Sequence, residues 1–190
     1  MNEPQAIRIL GISGSLRSAS FGAAILNGLQ ERSLPGMEFS VRTIEDIPFY
    51  NKDLDVQPAL QPIADFRSKV AGSDGIVIAT PGYNHGVPGV LKNTLDWASR
   101  PAFASCFQGK PVLIISSASA FTGGVQAQYQ LRETLTSMLA RTLSGREIVV
   151  GGVNAKSSQG RFTDEGNLAF IATGLNRLHE EVLSQRAVAW

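Results

Sequence analysis

Serine hydroxyls and one guanidinium crowd a short stretch near the start of the chain. From Ser13 to Ser20 the sequence runs Ser-Gly-Ser-Leu-Arg-Ser-Ala-Ser, after the apolar run Ile7 to Ile12 and before a helical pattern. In a tight loop of this kind, hydroxyls and backbone N–H groups can surround an anion while the next helix turns its positive end toward it. Arg17 adds a full charge and a two-pronged donor. The spacing fits neither common nucleotide signature. No lysine followed by Ser or Thr closes the loop, and only Gly11 and Gly14 stand where a dinucleotide fingerprint needs three glycines. Ser13, Ser15, Ser18, Ser20 and Arg17 suit a single terminal phosphate, and flavin mononucleotide (FMN) is the obvious bearer. The plainer alternative is a serine-rich turn in which Ser20 caps the helix.

Two further stretches carry residues of the same kind. Thr80-Pro81-Gly82-Tyr83-Asn84-His85-Gly86-Val87-Pro88-Gly89 holds more turn formers than a regular connection needs, which implies a backbone held in one shape. Its N–H groups could meet the polar edge of a flavin, with Tyr83 or His85 beside the rings; donors near the pyrimidine end would favour the anionic reduced form. As an ordinary turn leading into a helix, it would leave Tyr83 partly exposed. Ser116 to Gly124 again offers hydroxyls and small residues ahead of a helix, small enough to let a planar ligand approach the backbone.

The elements that must position these stretches alternate. Ile7 to Ile12, Gly75 to Thr80, Val112 to Ser116 and Glu147 to Val150 read as buried strands, and Phe39 to Ile44 as a strand nearer an edge. Helical stripes lie between them: Phe21, Ala24, Ile25, Gly28 and Leu29; Ile63, Phe66 and Val70; Val87, Val90, Leu91, Thr94, Leu95 and Ala98; Leu131, Leu135, Met138 and Leu139. A last helix carries Leu168, Ile171, Leu175, Leu178 and Val182, with Thr163 as its expected N-cap and Asp164 and Glu165 at its positive end. Five apolar strands alternating with five helices imply an α/β doubly wound sandwich: a five-stranded parallel sheet with helices on both faces. Ligands bind such sheets beyond the carboxyl ends of the strands, where the strand order switches. The loops after the first, third and fourth strands are therefore the expected site.

Composition narrows the class further. The 190 residues fit one domain, expected to span 1–190, and a formal net charge of +1 gives no electrostatic reason to expect nucleic acid or an anionic membrane as partner. The single cysteine, Cys106, excludes an intramolecular disulfide and a cysteine-rich metal site, and fits a cytoplasmic location. Met1 to Gln5 lacks the features of a signal peptide, and no apolar run reaches membrane-spanning length.

Almost the whole chain resembles the NADPH-dependent FMN reductases, which include bacterial quinone and chromate reductases. The resemblance rests on Gly14-Ser15-Leu16-Arg17 with Ser20, on Asp46-Ile47-Pro48-Phe49-Tyr50-Asn51, and above all on Pro81 to Pro101, where Tyr83-Asn84 is followed by Pro88-Gly89-Val90-Leu91-Lys92-Asn93 and Asp96-Trp97. It implies a flavodoxin-like fold, bound FMN, NADPH or NADH as electron donor, a quinone or similar small molecule as acceptor, and a homodimer or homotetramer. By position, it implies that Ser15, Arg17 and Ser20 hold the phosphate, Pro81, Tyr83, Asn84 and His85 the isoalloxazine, and Ser117, Ala118 and Ser119 its other flank. Ser13, Phe21 and Gly82 complete the expected cofactor-binding set. No catalytic side chain is expected, because the flavin carries the chemistry.

The chain also departs from that family. Gly22 stands where asparagine is usual, Gly82 where glutamate commonly follows Pro81, Gly86 where serine is frequent, and His85 where a second tyrosine is common. Each glycine removes a side chain near the expected cofactor. Two other readings follow: a flavodoxin-like electron carrier, which usually needs a charged docking face and is disfavoured by the near-neutral composition, and a flavin-binding protein without turnover, suggested by the missing side chains. His85 is expected in a passive role, His179 on a solvated helix face, and no metal site is expected from two distant histidines. Lys92, Asn93, Asp96 and Trp97 are read as structural or as a subunit contact, and Arg100 as a residue that could reach the pocket rim.

Overall fold

Strands buried on both faces have no polar side to alternate with, so the central strands of this chain are largely apolar, with Arg8 the one charged residue among them. The computed structural model describes residues 5–188. In chain order it contains β1 (Ile7–Ser13), α1 (Phe21–Gln30), β2 (Met37–Arg42), α2 (Gln61–Ala71), β3 (Gly75–Pro81), α3 (Gly89–Ala98), β4 (Pro111–Ala118), α4 (Val125–Ser137), β5 (Arg141–Thr142), β6 (Ile148–Gly151), a small antiparallel hairpin of β7 (Ser157–Ser158) and β8 (Arg161–Phe162), and α5 (Glu165–Val188). The main sheet is parallel throughout, in the order β2-β1-β3-β4, with β5 and β6 both beside β4. The chain leaves β1 for β2 on one side and returns to β3 on the other. The switch point thus lies between β1 and β3, as in flavodoxin-like sheets.

Side chains alternate across the sheet and build two cores. Ile7, Ile9, Val77, Ala79, Leu113 and Ile115 face α1 and α5, whose Ile25, Leu29, Ile171 and Leu175 are fully buried. Leu10, Ile12, Ile76, Ile78, Val112 and Ile114 face the opposite way, onto Phe66 and Val70 of α2, Leu91 and Leu95 of α3, and Leu131 and Leu135 of α4. Both faces are covered, as the apolar strands require.

Several boundaries differ from the sequence expectation. The fifth strand position is shared: β5 pairs with the start of β4 and β6 with its end. Between them the chain loops out at Gly145 (φ +108°), pinned by Arg132 to the Leu143 carbonyl at 3.0 Å and by Arg177 to the Arg146 carbonyl at 3.1 Å. The edge strand runs Met37–Arg42, so Ile44 is buried beyond its end. Leu139 leaves the α4 stripe, because it adopts a left-handed φ of 61° after the helix ends and is 46% exposed. Val87 precedes α3, which starts after Pro88. Asp164, not Thr163, caps α5: its carboxylate accepts from the Asn167 N–H at 2.9 Å, and that bond holds the acid below its ordinary range. The short β7–β8 hairpin, which buries Phe162 against α1, carries no periodicity that a sequence reading could detect.

The long β2–α2 connection is tied down by α3. Asn93 donates to the Pro48 carbonyl at 2.9 Å and accepts from the Tyr50 N–H at 2.6 Å, while the buried Trp97 indole donates to the same carbonyl at 2.8 Å. Tyr50 stands edge-on to Trp97, with ring centres 4.9 Å apart. Asn93 and Trp97 are therefore structural, and Lys92 and Asp96 form a partly exposed i,i+4 ion pair. No described helix is long and apolar enough to cross a membrane.

Candidate active site

The loop after β1 is built against β3. Gly14 N–H donates to the Ala79 carbonyl at 2.9 Å, and a Cβ at Gly22 would lie 2.9 Å from that same oxygen, so the first turn of α1 presses on β3 with no side chain between. Ser20 is extended and caps α1, its hydroxyl accepting from Ala23 N–H at 3.2 Å. The fully buried Ser13 hydroxyl stands 3.2 Å behind it. The plain capping role and the phosphate role meet in Ser20, because a capped helix start still leaves its first amides without intrahelical acceptors. Arg17 is exposed, with its guanidinium carbon 5.1 Å from the centre of the Phe21 ring. Among the described residues no acid lies within ion-pair distance of it.

The loop after β3 owes its density of turn formers to a tight reversal. Tyr83 and Gly86 exchange backbone hydrogen bonds of 3.0 and 2.9 Å, and the two residues between them, Asn84 and His85, have φ of 48° and 67°. Two successive left-handed residues are what a type I′ turn requires, and Asn tolerates them better than most. The reversal sends His85 toward α4, where Nδ1 meets Gln126 Oε1. Tyr83 instead reaches the loop after β1, its hydroxyl 3.4 Å from Ser15 Oγ.

The loop after β4 closes the third side. Gly82 N–H donates to the Ser117 carbonyl at 3.2 Å, and a Cβ on Gly82 would lie 2.6 Å from the Gly124 Cα. Gly123 and Gly124 both have positive φ, 59° and 73°, and so turn the chain into α4. Ser119 donates from its hydroxyl to Asn154 Oδ1 at 2.9 Å.

A cleft of about 340 Å³ opens between the three loops. Of the expected residues, Ser15, Arg17, Ser20, Phe21, Pro81, Gly82, Tyr83, Ser117, Ala118 and Ser119 line it. Ser13 supports Ser20 from behind, and Asn84 and His85 are spent on the turn, so these three do not line it. Gly22 and Ala120 do, although neither was in the expected set. Gly22 was visible in sequence only as a departure from the family pattern, and Ala120 only as a neighbour of Ser119. Arg100 lies elsewhere: its Nε donates to Asp55 at 3.1 Å, beside the Arg67 to Asp55 contact at 3.2 Å. Cys106 is removed from redox work by burial, which pushes its thiol up to about 11. Among the described residues no cluster of His, Cys, Asp and Glu could hold a metal ion.

Comparisons with known proteins identify the family. Residues 7–155 match the sequence profile of the NADPH-dependent FMN reductases. The chain belongs to that family. It is 39% identical to an NAD(P)H-dependent FMN reductase of Pseudomonas aeruginosa over 173 residues, 90% of this chain and 93% of that one. It is 32% identical to a quinone reductase of Escherichia coli over 180 residues, 93% and 95% of the two chains. Its fold is similar to that of the flavoenzyme NAD(P)H:(acceptor) oxidoreductase of Paracoccus denitrificans, with a TM-score of 0.83, 27% identity, and 94% and 98% of the two chains covered. The flavodoxin-like fold and the FMN and nicotinamide dependence expected from sequence therefore stand, and this family member is an oxidoreductase.

The reductase also explains its own departures. Gly22 and Gly82 lie where backbone from another element occupies the place of a side chain, and a Cβ on Gly86 would lie 2.9 Å from Gln130 Oε1, which accepts from Val87 N–H at 2.7 Å. The missing side chains are replaced by closer packing of the loops. That backbone-lined cradle fits a flat ligand with a charged tail.

Proposed function

We propose that this cleft holds FMN, with its phosphate against Arg17, Ser15, Ser20 and the start of α1, and its ring system between the Tyr83 loop and Ser117 to Ser119. On this reading the chain oxidises NADPH or NADH and reduces a quinone or a similarly small acceptor. The observation that carries it is Arg17, a cation without a described acidic partner beside the N-terminus of α1. When bound, FMN would supply the two-electron redox chemistry between the nicotinamide and the acceptor.

The side chains bind and orient. Arg17 neutralises phosphate charge, and Ser15, tied to Tyr83 at 3.4 Å, joins the phosphate loop to the loop beside the rings. Gly82 lines the cleft and brings it backbone without a side chain. The quinone names of relatives support a quinone acceptor. We place this activity in one domain of 1–190, in a cytoplasmic homodimer or homotetramer. With FMN added, the purified chain is expected to consume NADPH or NADH when a quinone is supplied. A protein that binds no FMN in a fluorescence titration would overturn the reading.

A further inference from the structure

Three glutamines tie α4 to its surroundings on two faces. Gln128 is fully buried, and its amide nitrogen donates to Ser116 Oγ of β4 at 3.0 Å and to the Ile148 carbonyl of β6 at 2.6 Å. That fixes the helix to the sheet. Gln126 and Gln130, four residues apart and so on one face, are exposed. Gln126 Oε1 meets His85 Nδ1, and Gln130 Oε1 accepts from Val87 N–H at 2.7 Å. The two contacts hold the Tyr83–Gly86 reversal inside its bend and just past its end.

Gly86 belongs to the same arrangement. Its φ lies outside the left-handed region, so its backbone does not call for glycine. What crowds a side chain there is Gln130, whose Oε1 stands 2.9 Å from the place of a Cβ at 86. The reversal is already closed by the two backbone bonds between Tyr83 and Gly86. The glutamine adds orientation: it sets the reversal against a helix fixed to the sheet. The first residue of that reversal, Tyr83, lines the cleft and stands 3.4 Å from Ser15.

We infer that Gln130 is a positioning residue for the cleft: through Val87 N–H and the reversal it sets the place of Tyr83, and glycine at 86 keeps the space that its amide needs. This rests on the proposed function for the ligand that reads the position of Tyr83, which is FMN. Residues that act through one shared contact couple, so their substitutions are not additive. The inference is therefore open to a test by combined variants.

FMN fluorescence titrations compare the wild type with Gln130→Ala, Gln130→Glu and Gly86→Ala. The dissociation constant is expected to rise about threefold to tenfold in Gln130→Ala, and to return toward wild type in Gln130→Glu, whose carboxylate still accepts from Val87 N–H. Gly86→Ala should weaken FMN by a similar factor, because its methyl group displaces the amide, and should add nothing to Gln130→Ala. In a Tyr83→Ala background Gln130→Ala should have no effect. Undiminished affinity in Gln130→Ala, additive effects at 86 and 130, or a loss that persists without Tyr83 would each overturn the inference. Hydrogen exchange of the Tyr83 and Gly86 amides in FMN-free protein separates it from the proposed function, since Gln130→Ala leaves the partners of both amides in place. Faster exchange in Gln130→Ala than in a wild type that binds no FMN would sink the function and leave the clasp standing. A wild type that binds FMN, with equal exchange in both proteins, would do the reverse.

Discussion

Gly82 and Gly124 cross with no room for a side chain on either. A Cβ at 82 would lie 2.6 Å from the Gly124 Cα, and one at 124 would lie 2.9 Å from the Gly82 nitrogen. The crossing joins the loops after β3 and β4 beside the cleft that Gly82 and Ser117 line, next to the 3.2 Å bond from Gly82 N–H to the Ser117 carbonyl. A glutamate, common at position 82 in this family, has no place here unless that crossing opens.

Gly82→Ala should therefore push the two loops apart. Overpacking of this kind costs about 1–3 kcal/mol, measurable as a lower denaturant midpoint. Because Gly82 also lines the cleft, FMN affinity should fall in the same variant. A fluorescence titration with undiminished affinity would show that the crossing does not shape the site.

Arg17→Ala removes the one cation lining the cleft. Charge-assisted bonds to a phosphate are worth about 1.5–3 kcal/mol, so the FMN dissociation constant should rise about tenfold to a hundredfold. Arg17→Lys should recover only part of this, since an ammonium cannot reproduce the fork. Thermal stability should hardly move, because the guanidinium is exposed and its described packing is the Phe21 ring.

Asn93→Ala predicts the opposite pattern. It leaves the Pro48 carbonyl with the Trp97 indole alone and removes the acceptor of the Tyr50 N–H. A stability loss of about 1–3 kcal/mol is expected, with FMN affinity unchanged. A titration showing weakened FMN would make Asn93 more than a clasp for the β2–α2 connection.

Asp55 gives the fold an acid-sensitive clamp. Burial alone would raise its pKa, but hydrogen bonds from Arg100 and Arg67, and their charges, hold it below the ordinary value of 3.8. A carboxylate whose folded pKa is depressed adds stability above its unfolded pKa and loses it as pH falls through the folded one. The wild type should thus lose part of its stability below about pH 4. Asp55→Asn should be less stable at neutral pH and show a flatter acid limb, read from denaturant midpoints at stepped pH. Parallel limbs in the two proteins would assign the acid sensitivity to other groups.

Much of the fold was legible because β1, broken only by Arg8 near its start, and β3 and β4 are largely apolar runs and α1, α2 and α5 carry clean stripes. The fifth strand position was half legible: Ile148 to Val150 announces itself, whereas Arg141–Thr142 is too short to show a pattern. At the candidate site, residue types in the three loops pointed to the edge of the sheet where the structure opens a cleft. The loop turns decided the details, since left-handed Asn84 and His85 direct His85 to Gln126, away from the cleft. The contact of Ser15 with Tyr83 joins residues far apart in sequence, and no local spacing encodes it. The glycine departures looked like losses in sequence because the backbone that fills their space belongs to other elements.

The central claim is that this cleft binds FMN and that a reduced nicotinamide reduces it directly. Anaerobic stopped-flow mixing of the FMN-loaded protein with NADPH, and separately NADH, tests it most directly. The account predicts rapid bleaching of the flavin absorbance with at least one donor, and its return when a quinone is added. Bound flavin that stays oxidised with both donors would contradict it.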